Sequence, residues 1–265
     1  MIPQNDQDKD FPWWLVIVVV TGLWLFWNVL TVETYRAVLE TLVKGLWITV
    51  YVTVIAYAMA CLLGLLLAVG QLSRFIVLRQ AARLYVEVMR GIPIIVLLLY
   101  VAFVVAPAGV EAWNWLRGLF GWEPVRPRDF PLLWRAVIAL TLAYAAFLAE
   151  IFRAGLQSVD KGQIEAAKSL GLSGWQRFRL VVFPQAFRVM LPPLGNDFVA
   201  MVKDSSLVSV LGVTDVTQLG KVTAAGNFRY LETYNVVALI YLTLTIGLSL
   251  VLRRVERRMR ARWER

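Results

Sequence analysis

Long runs of apolar residues, separated by shorter polar stretches, recur along the 265-residue chain. A helix that crosses a bilayer needs about 20 mostly apolar residues, because each residue adds ~1.5 Å against a hydrocarbon core of ~30 Å. Six runs meet this requirement, although the third is short and polar residues interrupt the fifth. These runs are 13–30, 46–69, 92–108, 132–151, 191–213 and 236–252. The pattern predicts an all-α integral membrane protein with about six spans.

The first run has the length of a secretion signal, but its context differs from one. The leading residues, MIPQNDQDKD, are acidic rather than basic, and no small-residue cleavage pattern follows the run. We therefore expect residues 13–30 to be a retained span.

Basic residues indicate the orientation of the spans, because loops that stay in the cytoplasm are enriched in Lys and Arg. With both termini inside, most basic residues fall on the cytoplasmic side, in 74–90, in 153–188 and in the tail that starts at Arg253. We therefore predict cytoplasmic termini. The net charge of +9 and the tail RRVERRMRARWER are also features of nucleic-acid patches. Directly after a span, however, such a tail favours a topogenic or lipid-headgroup role.

The chain lacks most residue types that carry catalysis inside a membrane. It contains no histidine and a single cysteine, Cys61, in the second predicted span. Histidine is the commonest general base and metal ligand, and no cysteine cluster or HExxH pattern replaces it. We expect Cys61 to be an inert packed thiol, and we expect no catalytic residue and no metal site. An intramembrane enzyme is therefore disfavoured.

A charged, helix-forming segment, GQIEAAKSLGLSGWQRFRLVVFPQA, interrupts the apolar pattern. Asp160 followed by Gln163 predicts a capping-box start for a first helix, which Gly171 ends in the left-handed conformation. Ser173 and Gln176 repeat the capping pattern and start a second helix, which runs on to the proline of VVFP. The segment is therefore predicted to be a rigid unit of two helices joined by a glycine turn.

Each helix of this segment carries one apolar face. In the first helix Ile164, Ala167 and Leu170 share the face, and small Ala166 lies beside Glu165 on the other side. In the second helix apolar residues recur at spacings of three and four, which predicts a stripe that packs on the membrane domain. The residues of this stripe are Trp175, Phe178 and Val182. Such a segment is either a docking surface or an amphipathic loop on lipid headgroups, and the residues alone favour neither.

The segment resembles the EAA loop of ABC importer permeases. The matching residues are Glu165, Ala166, Ala167, Gly171, Val181, Phe183 and Pro184. Three longer stretches resemble the branch of that family that moves polar amino acids, and together the resemblance covers about 39–255. These stretches are RLYVEVMRGIPIIVLLLY, AEIFRAGLQSVDKGQIEAAKSLGL and PQAFRVMLPPLGNDFVAMVKDSSLVSVLG. The chain departs from the family pattern in its extra N-terminal span and in a long Trp-rich outer loop at 109–131.

The resemblance implies a type I ABC importer transmembrane domain. A five-span permease core at 39–255 would follow an N-terminal extension at 1–38 with one extra span, and a basic cytoplasmic tail at 256–265 would end the chain. The loop at 158–185 would couple this core to a separate ATPase subunit. The coupling residues implied by the resemblance are Glu165, Ala166, Ala167 and Gly171.

The resemblance further implies a multi-subunit importer in the bacterial cytoplasmic membrane that takes up amino acids by alternating access. Its partners would be a second permease, identical or homologous, two ATP-binding subunits and an extracytoplasmic substrate-binding protein, with no nucleic acid. The chain contains no GxxxxGK(S/T) phosphate loop. We therefore expect no cofactor in this chain, and ATP and Mg²⁺ bound by the partner ATPases. The alternative, a self-sufficient secondary transporter or channel, predicts an internal repeat that is not visible in the sequence.

Polar residues within the fifth predicted span are candidates for substrate contact, because an ionisable group at the bilayer centre costs ~2.5–3.5 kcal/mol. Asn196 and Asp197 precede Lys203 and Asp204 by seven residues, nearly two turns, which predicts one polar stripe. Lys203 and Asp204 are equally well explained by an internal ion pair. Asp197 has no cation within a turn and follows a span opening at PP, so we expect it to contact a positive group of the substrate. The other predicted substrate-binding residues are Asn196, Lys203 and Ser206.

Two Glu–Arg pairs lie near the cytoplasmic ends of predicted spans, each with glutamate three residues before arginine. They are Glu87 with Arg90 and Glu150 with Arg153. Each pair is either a solvated local ion pair or part of a cytoplasmic gate, and the residues alone favour neither. The sequence GIP after Arg90 predicts a helix break, which is a feature of a hinge.

Overall fold

The computed structural model describes residues 13–263, and this part of the chain consists of helices and short connections. The α-helices are α1 (Trp13–Thr31), α2 (Glu33–Gln71), α3 (Ile76–Gly91), α4 (Ile94–Tyr100), α5 (Ala106–Leu119), α6 (Leu132–Gln157), α7 (Lys161–Ser169), α8 (Gly174–Arg177), α9 (Phe183–Asp204), α10 (Val216–Asn227) and α11 (Tyr230–Trp263). Two π-helical turns, Val101–Val105 and Phe178–Val182, and two 3-10 turns, Pro127–Asp129 and Ser205–Leu211, connect some of them. The all-α prediction is confirmed.

Four helical runs in the described part of the chain are long and apolar enough to cross a membrane. They are α2, the continuous run Ile94–Leu119, α6 and the stretch Tyr230–Met259 of α11. α1 is apolar but shorter, over Val16–Thr31. α9 lies where the span at 191–213 was expected, but it is not among these four runs, and its bounds differ from the predicted ones. The helix begins at Phe183 and ends at Asp204, so the PP pair lies inside it and does not open it.

The third predicted span is longer than expected. The helix that begins at Ile94 continues through a π-helical turn into α5 and ends at Leu119. Part of the Trp-rich outer loop expected at 109–131 is therefore helical. The helix break expected at GIP is present, because α3 ends at Gly91 and Pro93 precedes α4.

Each π-helical turn accommodates a proline that would otherwise interrupt a helix. The N–H of Ala106 donates to the carbonyl of Val101, five residues earlier, and the N–H of Phe183 donates to Phe178 in the same way. The next residue in each case, Pro107 or Pro184, has no N–H to place in the hydrogen-bond ladder. The expectation that the helix stops at the proline of VVFP was therefore wrong, and the helix runs on into α9.

A buried arginine compensates for the first of these prolines. The carbonyl of Ala102 has no backbone partner five residues later, because that residue is Pro107. The guanidinium of Arg135 replaces it: Nη1 donates to Ala102 O at 2.7 Å, and Nε donates to Phe130 O at 3.1 Å. Arg135 is only 6% exposed. It thus ties the run Ile94–Leu119 to α6 and to the loop between them.

α6 lies at the centre of the fold, with α2 packed along it. Small side chains permit this close packing, because they let helix backbones approach each other inside a membrane. A Cβ added to Gly64 of α2 would lie 3.0 Å from the carbonyl oxygen of Ala145. The fully buried alanines of α6 are Ala136, Ala139, Ala143, Ala145, Ala146 and Ala149. The packing of α6 therefore leaves it little freedom to move relative to α2.

α10 is fixed between α2 and α11 by a buried polar cluster. Asp215 is fully buried and accepts hydrogen bonds from the Gln218 N–H at 2.8 Å and from the Tyr241 hydroxyl at 3.1 Å. Gly45 of α2 lies directly against this turn: a Cβ at Gly45 would be 2.6 Å from the carbonyl carbon of Asp215. The absence of a side chain at Gly45 thus permits the contact between α2 and α10.

We predict that Gly45→Ala lowers the free energy of unfolding of the purified protein by about 1–3 kcal/mol, because the added Cβ would overlap backbone atoms that cannot rotate away. The midpoint temperature of unfolding should fall accordingly. Gly247→Ala in α11 is the matched control. It also adds one methyl group to a membrane-spanning helix, but nothing lies within 4 Å of the new Cβ. Tryptophan fluorescence during heating in detergent gives both midpoints. Equal midpoints for the two variants would contradict the close approach of α2 to α10.

Candidate functional site

The EAA segment, residues 158–185, has the two-helix form expected for it. Asp160 Oδ1 accepts a hydrogen bond from the Gln163 N–H at 3.3 Å and caps α7, and Gly171 at φ 76° ends the turn after it. Ser173 and Gln176 form a reciprocal capping box, with N···O distances of 2.8 and 3.4 Å. The first capping box forms only in part, because the Gln163 side chain bonds a glutamine of α9 instead.

The inner face of α7 differs from the expected one at its end. Ile164 packs against a small cluster that includes Met190 of α9, and Ala167 is buried. Leu170, expected on the same face, is 81% exposed. The reason is that α7 ends at Ser169, so that Leu170 already belongs to the turn. Of the other residues that match the EAA pattern, Glu165, Ala166 and Gly171 are exposed.

The predicted stripe of the second helix packs on the membrane domain only at Val182, and the expectation was wrong for Trp175 and Phe178. Trp175 is 69% exposed and stacks on Phe178 with ring centroids 5.8 Å apart. The row continues through Phe183 to Phe187. Because the π-helical turn changes the helical phase after Arg177, the spacings of three and four do not bring one stripe inward. The EAA segment therefore presents aromatic rings and Leu170 at its surface.

The polar residues of α9 occupy two faces and not the single stripe expected from their spacing. Asn196 and Lys203 are exposed on one face. Asp197 and Asp204 are half-buried on the other face, which points towards α2 and α6. Neighbouring positions on a helix lie about 100° apart, so each pair keeps its own direction over seven residues.

Asp204 is held by a tyrosine and not by the adjacent lysine. The Tyr144 hydroxyl of α6 donates to Asp204 Oδ2 at 2.7 Å. Within the described residues Lys203 and Asp204 form no ion pair, because adjacent helical side chains do not face each other. α9 ends at Asp204, and the 3-10 turn that follows contains half-buried Ser206 and reaches Gly212 at φ 80°. The helix is thus interrupted beside the middle of α6.

Several polar groups of α9 have no partner within the part of the chain that the structure describes. Asn196, Asp197 and Lys203 make no hydrogen bond or ion pair there. Among the described residues, the one buried side-chain oxygen or nitrogen without a hydrogen bond belongs to Thr233. The Asp197 carboxylate and the second oxygen of Asp204, Oδ1, therefore reach the protein surface. These are the groups available to a ligand.

Two tyrosines in the membrane core complete this region, and the sequence pattern did not single out either. Tyr144 is 3% exposed. The Tyr57 hydroxyl of α2 donates to Leu194 O at 2.6 Å, and its ring lies 4.8 Å from that of Phe198. The available signal was that a tyrosine hydroxyl inside an apolar span needs a partner.

Known proteins share this architecture. The family model described as "Binding-protein-dependent transport system inner membrane component" matches residues 60–261. The chain belongs to this family. The resemblance of the EAA segment to ABC importer permeases is thereby confirmed, and the chain is a permease subunit.

Relatives of this permease agree over most of its length. It is 37% identical over 238 residues to the probable amino-acid permease protein YxeN of Bacillus subtilis (strain 168), covering 88% of this chain and 97% of that one. It is also 37% identical to the glutamine transport system permease protein GlnP of Escherichia coli (strain K12), covering 83% and 93%. A crystal structure of an amino acid ABC transporter with histidines aligns with a TM-score of 0.69 at 36% identity, covering 83% of this chain and 94% of that chain.

The two Glu–Arg pairs of the permease differ in structure. Glu150 and Arg153 form an ion pair at 2.5 Å, and Gln71 at the end of α2 donates to the same carboxylate at 3.2 Å. Glu87 and Arg90 form no ion pair within the described residues, and the Arg90 guanidinium instead lies 5.9 Å from the Phe147 ring centre. One pair therefore joins α2 to α6, while the other leaves its glutamate exposed.

Proposed function

We propose that this permease moves amino acids across the bacterial cytoplasmic membrane by alternating access, driven by ATP that separate subunits hydrolyse. The assembly would contain a second permease, identical or homologous, two ATP-binding subunits that hold ATP and Mg²⁺, and an extracytoplasmic substrate-binding protein. Residues 39–255 form the permease core. Residues 1–38 add one span, and the basic tail at 256–265 lies in the cytoplasm with the N-terminus.

The observation that carries this proposal is the interrupted, charged end of α9 beside the middle of α6. Ionisable groups without partners are costly in a membrane and mark substrate or ion pathways, and transporters bind substrate where helices are interrupted at this depth. Asp197 offers a carboxylate on the half-buried face of α9, and Lys203 offers an ammonium group on the neighbouring exposed face. Groups of opposite charge in the last two turns of α9 complement the two charges that every amino acid carries.

The substrate contacts follow from this complementarity. Asp197 accepts hydrogen bonds from the α-amino group or from a cationic side chain, and Lys203 donates to the α-carboxylate. Asn196 and Ser206 supply neutral hydrogen bonds to the rest of the ligand. Relatives named as permeases for glutamine, L-cystine and glutamate/aspartate support an amino acid as the substrate class.

The exposed side of the EAA segment is the coupling surface for an ATPase subunit. Glu165, Ala166 and Gly171 are exposed there together with Leu170 and Trp175. Exposed aromatic and apolar groups at the end of a rigid, capped unit favour a protein partner over water. Ala167, the remaining residue of the coupling set, packs inward, so that the same short helix contacts the membrane domain and presents Glu165 outward.

Reconstitution tests the function directly. The permease, its ATPase and its substrate-binding protein are reconstituted with liposomes. Uptake of labelled amino acids is then measured with ATP inside the liposomes, with ATP outside them, and without ATP. We expect uptake only when ATP is on the ATPase side, with competition among unlabelled amino acids identifying the substrate. Equal uptake without ATP would favour the self-sufficient transporter, and no uptake of any amino acid would contradict the substrate class.

We predict that Gly171→Val separates ATP hydrolysis from transport. Gly171 has φ 76°, a conformation that a β-branched residue adopts only with strain. The turn that positions α7 against α8 would therefore change, while the membrane helices stay folded. We expect uptake to be lost and basal ATP hydrolysis to remain, without stimulation by the loaded binding protein.

Gly174→Ala is the matched control for this variant, because Gly174 lies in the same segment at the start of α8 and has an ordinary helical conformation. It should transport normally. Full stimulation of hydrolysis in Gly171→Val would show that the turn does not belong to the coupling surface.

We predict that Asp197→Asn reduces uptake at least about 10-fold, because hydrogen bonds to a charged group contribute about 1.5–3 kcal/mol. Complex assembly and basal ATP hydrolysis should be unchanged, since Asp197 has no partner in the described part of the chain that the substitution would orphan. Asp129→Asn in the loop before α6 is an isosteric control. Normal uptake of every amino acid by Asp197→Asn would mean that this carboxylate does not contact substrate.

A further inference from the structure

The hydrogen bond between Tyr144 and Asp204 is not part of the proposed substrate contacts. We propose that Tyr144 is a positioning residue: its hydroxyl holds Asp204 Oδ2 so that Oδ1 faces the substrate at the interrupted end of α9 and accepts a substrate ammonium group. This inference rests on the proposed function, because it assigns a second carboxylate to the same substrate site.

The two oxygens of Asp204 have different environments. Oδ2 accepts the Tyr144 hydroxyl at 2.7 Å. Oδ1 accepts no hydrogen bond from the described residues. Because it is not one of their buried oxygen or nitrogen atoms that lack a partner, it lies at the surface. A carboxylate can accept about four hydrogen bonds. Asp204 therefore keeps most of its capacity for a ligand after Tyr144 has fixed its direction.

The chemistry of the partner favours positioning over neutralisation. An arginine or lysine in place of Tyr144 would orient the carboxylate but would also cancel its charge and weaken its attraction for a cation. A tyrosine hydroxyl is a neutral donor, so that it orients the carboxylate without placing a positive charge beside it. Lys203, the nearest cation in sequence, is exposed on the other face of α9.

Tyr144 is itself held in place. It is 3% exposed, and it lies in α6, the helix that packs against both α2 and α9. Its ring contacts that of Phe147 at a centroid distance of 6.0 Å. A donor on a rigid, buried element fixes its acceptor more precisely than a donor on a loop does. The direction of Asp204 Oδ1 is therefore set by the most immobile part of the fold.

A purely structural bond between α6 and α9 is the competing explanation, and substrate analogues distinguish the two. The probe is the labelled amino acid that uptake selects among L-glutamine, L-glutamate and L-cystine, compared with its analogue without amino groups, which is glutaramate, glutarate or dithiodipropionate. Binding of both is measured by scintillation proximity on the permease–ATPase complex in nanodiscs, without the binding protein. Tyr144→Phe removes only the hydroxyl.

Tyr85→Phe is the matched control, because its hydroxyl also joins two helices, donating from α3 to Leu142 O of α6 at 2.9 Å, away from the interrupted end of α9. We expect Tyr144→Phe to bind the amino acid about 10-fold more weakly than wild type and the analogue with unchanged affinity. Asp204→Asn should lose at least as much for the amino acid, and adding Tyr144→Phe to it should cause no further loss. Tyr85→Phe should match wild type for both ligands.

Other outcomes separate the two proposals. Equal weakening of both ligands in Tyr144→Phe, or wild-type binding of the amino acid by that variant, would overturn the positioning role while leaving the substrate site intact. Further loss in the double variant would show that Tyr144 acts independently of Asp204. Absence of both binding and uptake in the wild-type complex would contradict the proposed function itself and the positioning role with it.

Discussion

Inside a bilayer every backbone and side-chain polar group must find its partner within the protein, because no water is available to replace it. Much of this structure follows from that requirement. Two prolines within long helices are accommodated by π-helical turns, and the carbonyl that Pro107 leaves without a partner accepts a hydrogen bond from buried Arg135. The Tyr57 hydroxyl, deep in α2, donates to a carbonyl of α9. The packing of α6 against α2 through alanine and glycine meets the same requirement, since the side chains of these small residues bring no polar atoms into the contact.

Against this background the exceptions indicate function. Asp197, Lys203 and Asp204 Oδ1 lie at membrane depth without a partner in the described part of the chain. The exposed rings and Leu170 of the EAA segment are the corresponding exception outside the membrane. The first set lacks partners of opposite charge, and the second set lacks an apolar surface to pack against. We propose that an amino acid and an ATPase subunit supply these two features. Because α9 is continuous with the EAA segment through a π-helical turn, movement of one end would be transmitted to the other.

The sequence predicted those features that depend on neighbours along the chain. Apolar runs located the helices, Gly171 marked the left-handed turn, and Ser173 with Gln176 marked a cap.

The sequence pattern failed where a tertiary contact or a change of helical phase decides the outcome. A proline was taken as a helix end in VVFP, but a π-helical turn removed the clash. Leu170 and Trp175 were assigned to inner faces by periodicity, although the first helix ends before Leu170 and the second is too short to keep its phase. The seven-residue spacing on α9 correctly paired Asn196 with Lys203 and Asp197 with Asp204, but the two pairs lie on separate faces and not on one stripe. Tyr144 could not be predicted, because its partner lies 60 positions away in sequence.

The most direct test of the central claim, that the interrupted end of α9 is the substrate site, is a cryo-electron microscopy structure of the assembled transporter with its amino acid bound. We expect ligand density within hydrogen-bond distance of the Asp197 carboxylate, beside Lys203 and the 3-10 turn that follows Asp204. Density elsewhere in the membrane domain, or an Asp197 carboxylate occupied by a helix of the second permease, would contradict it.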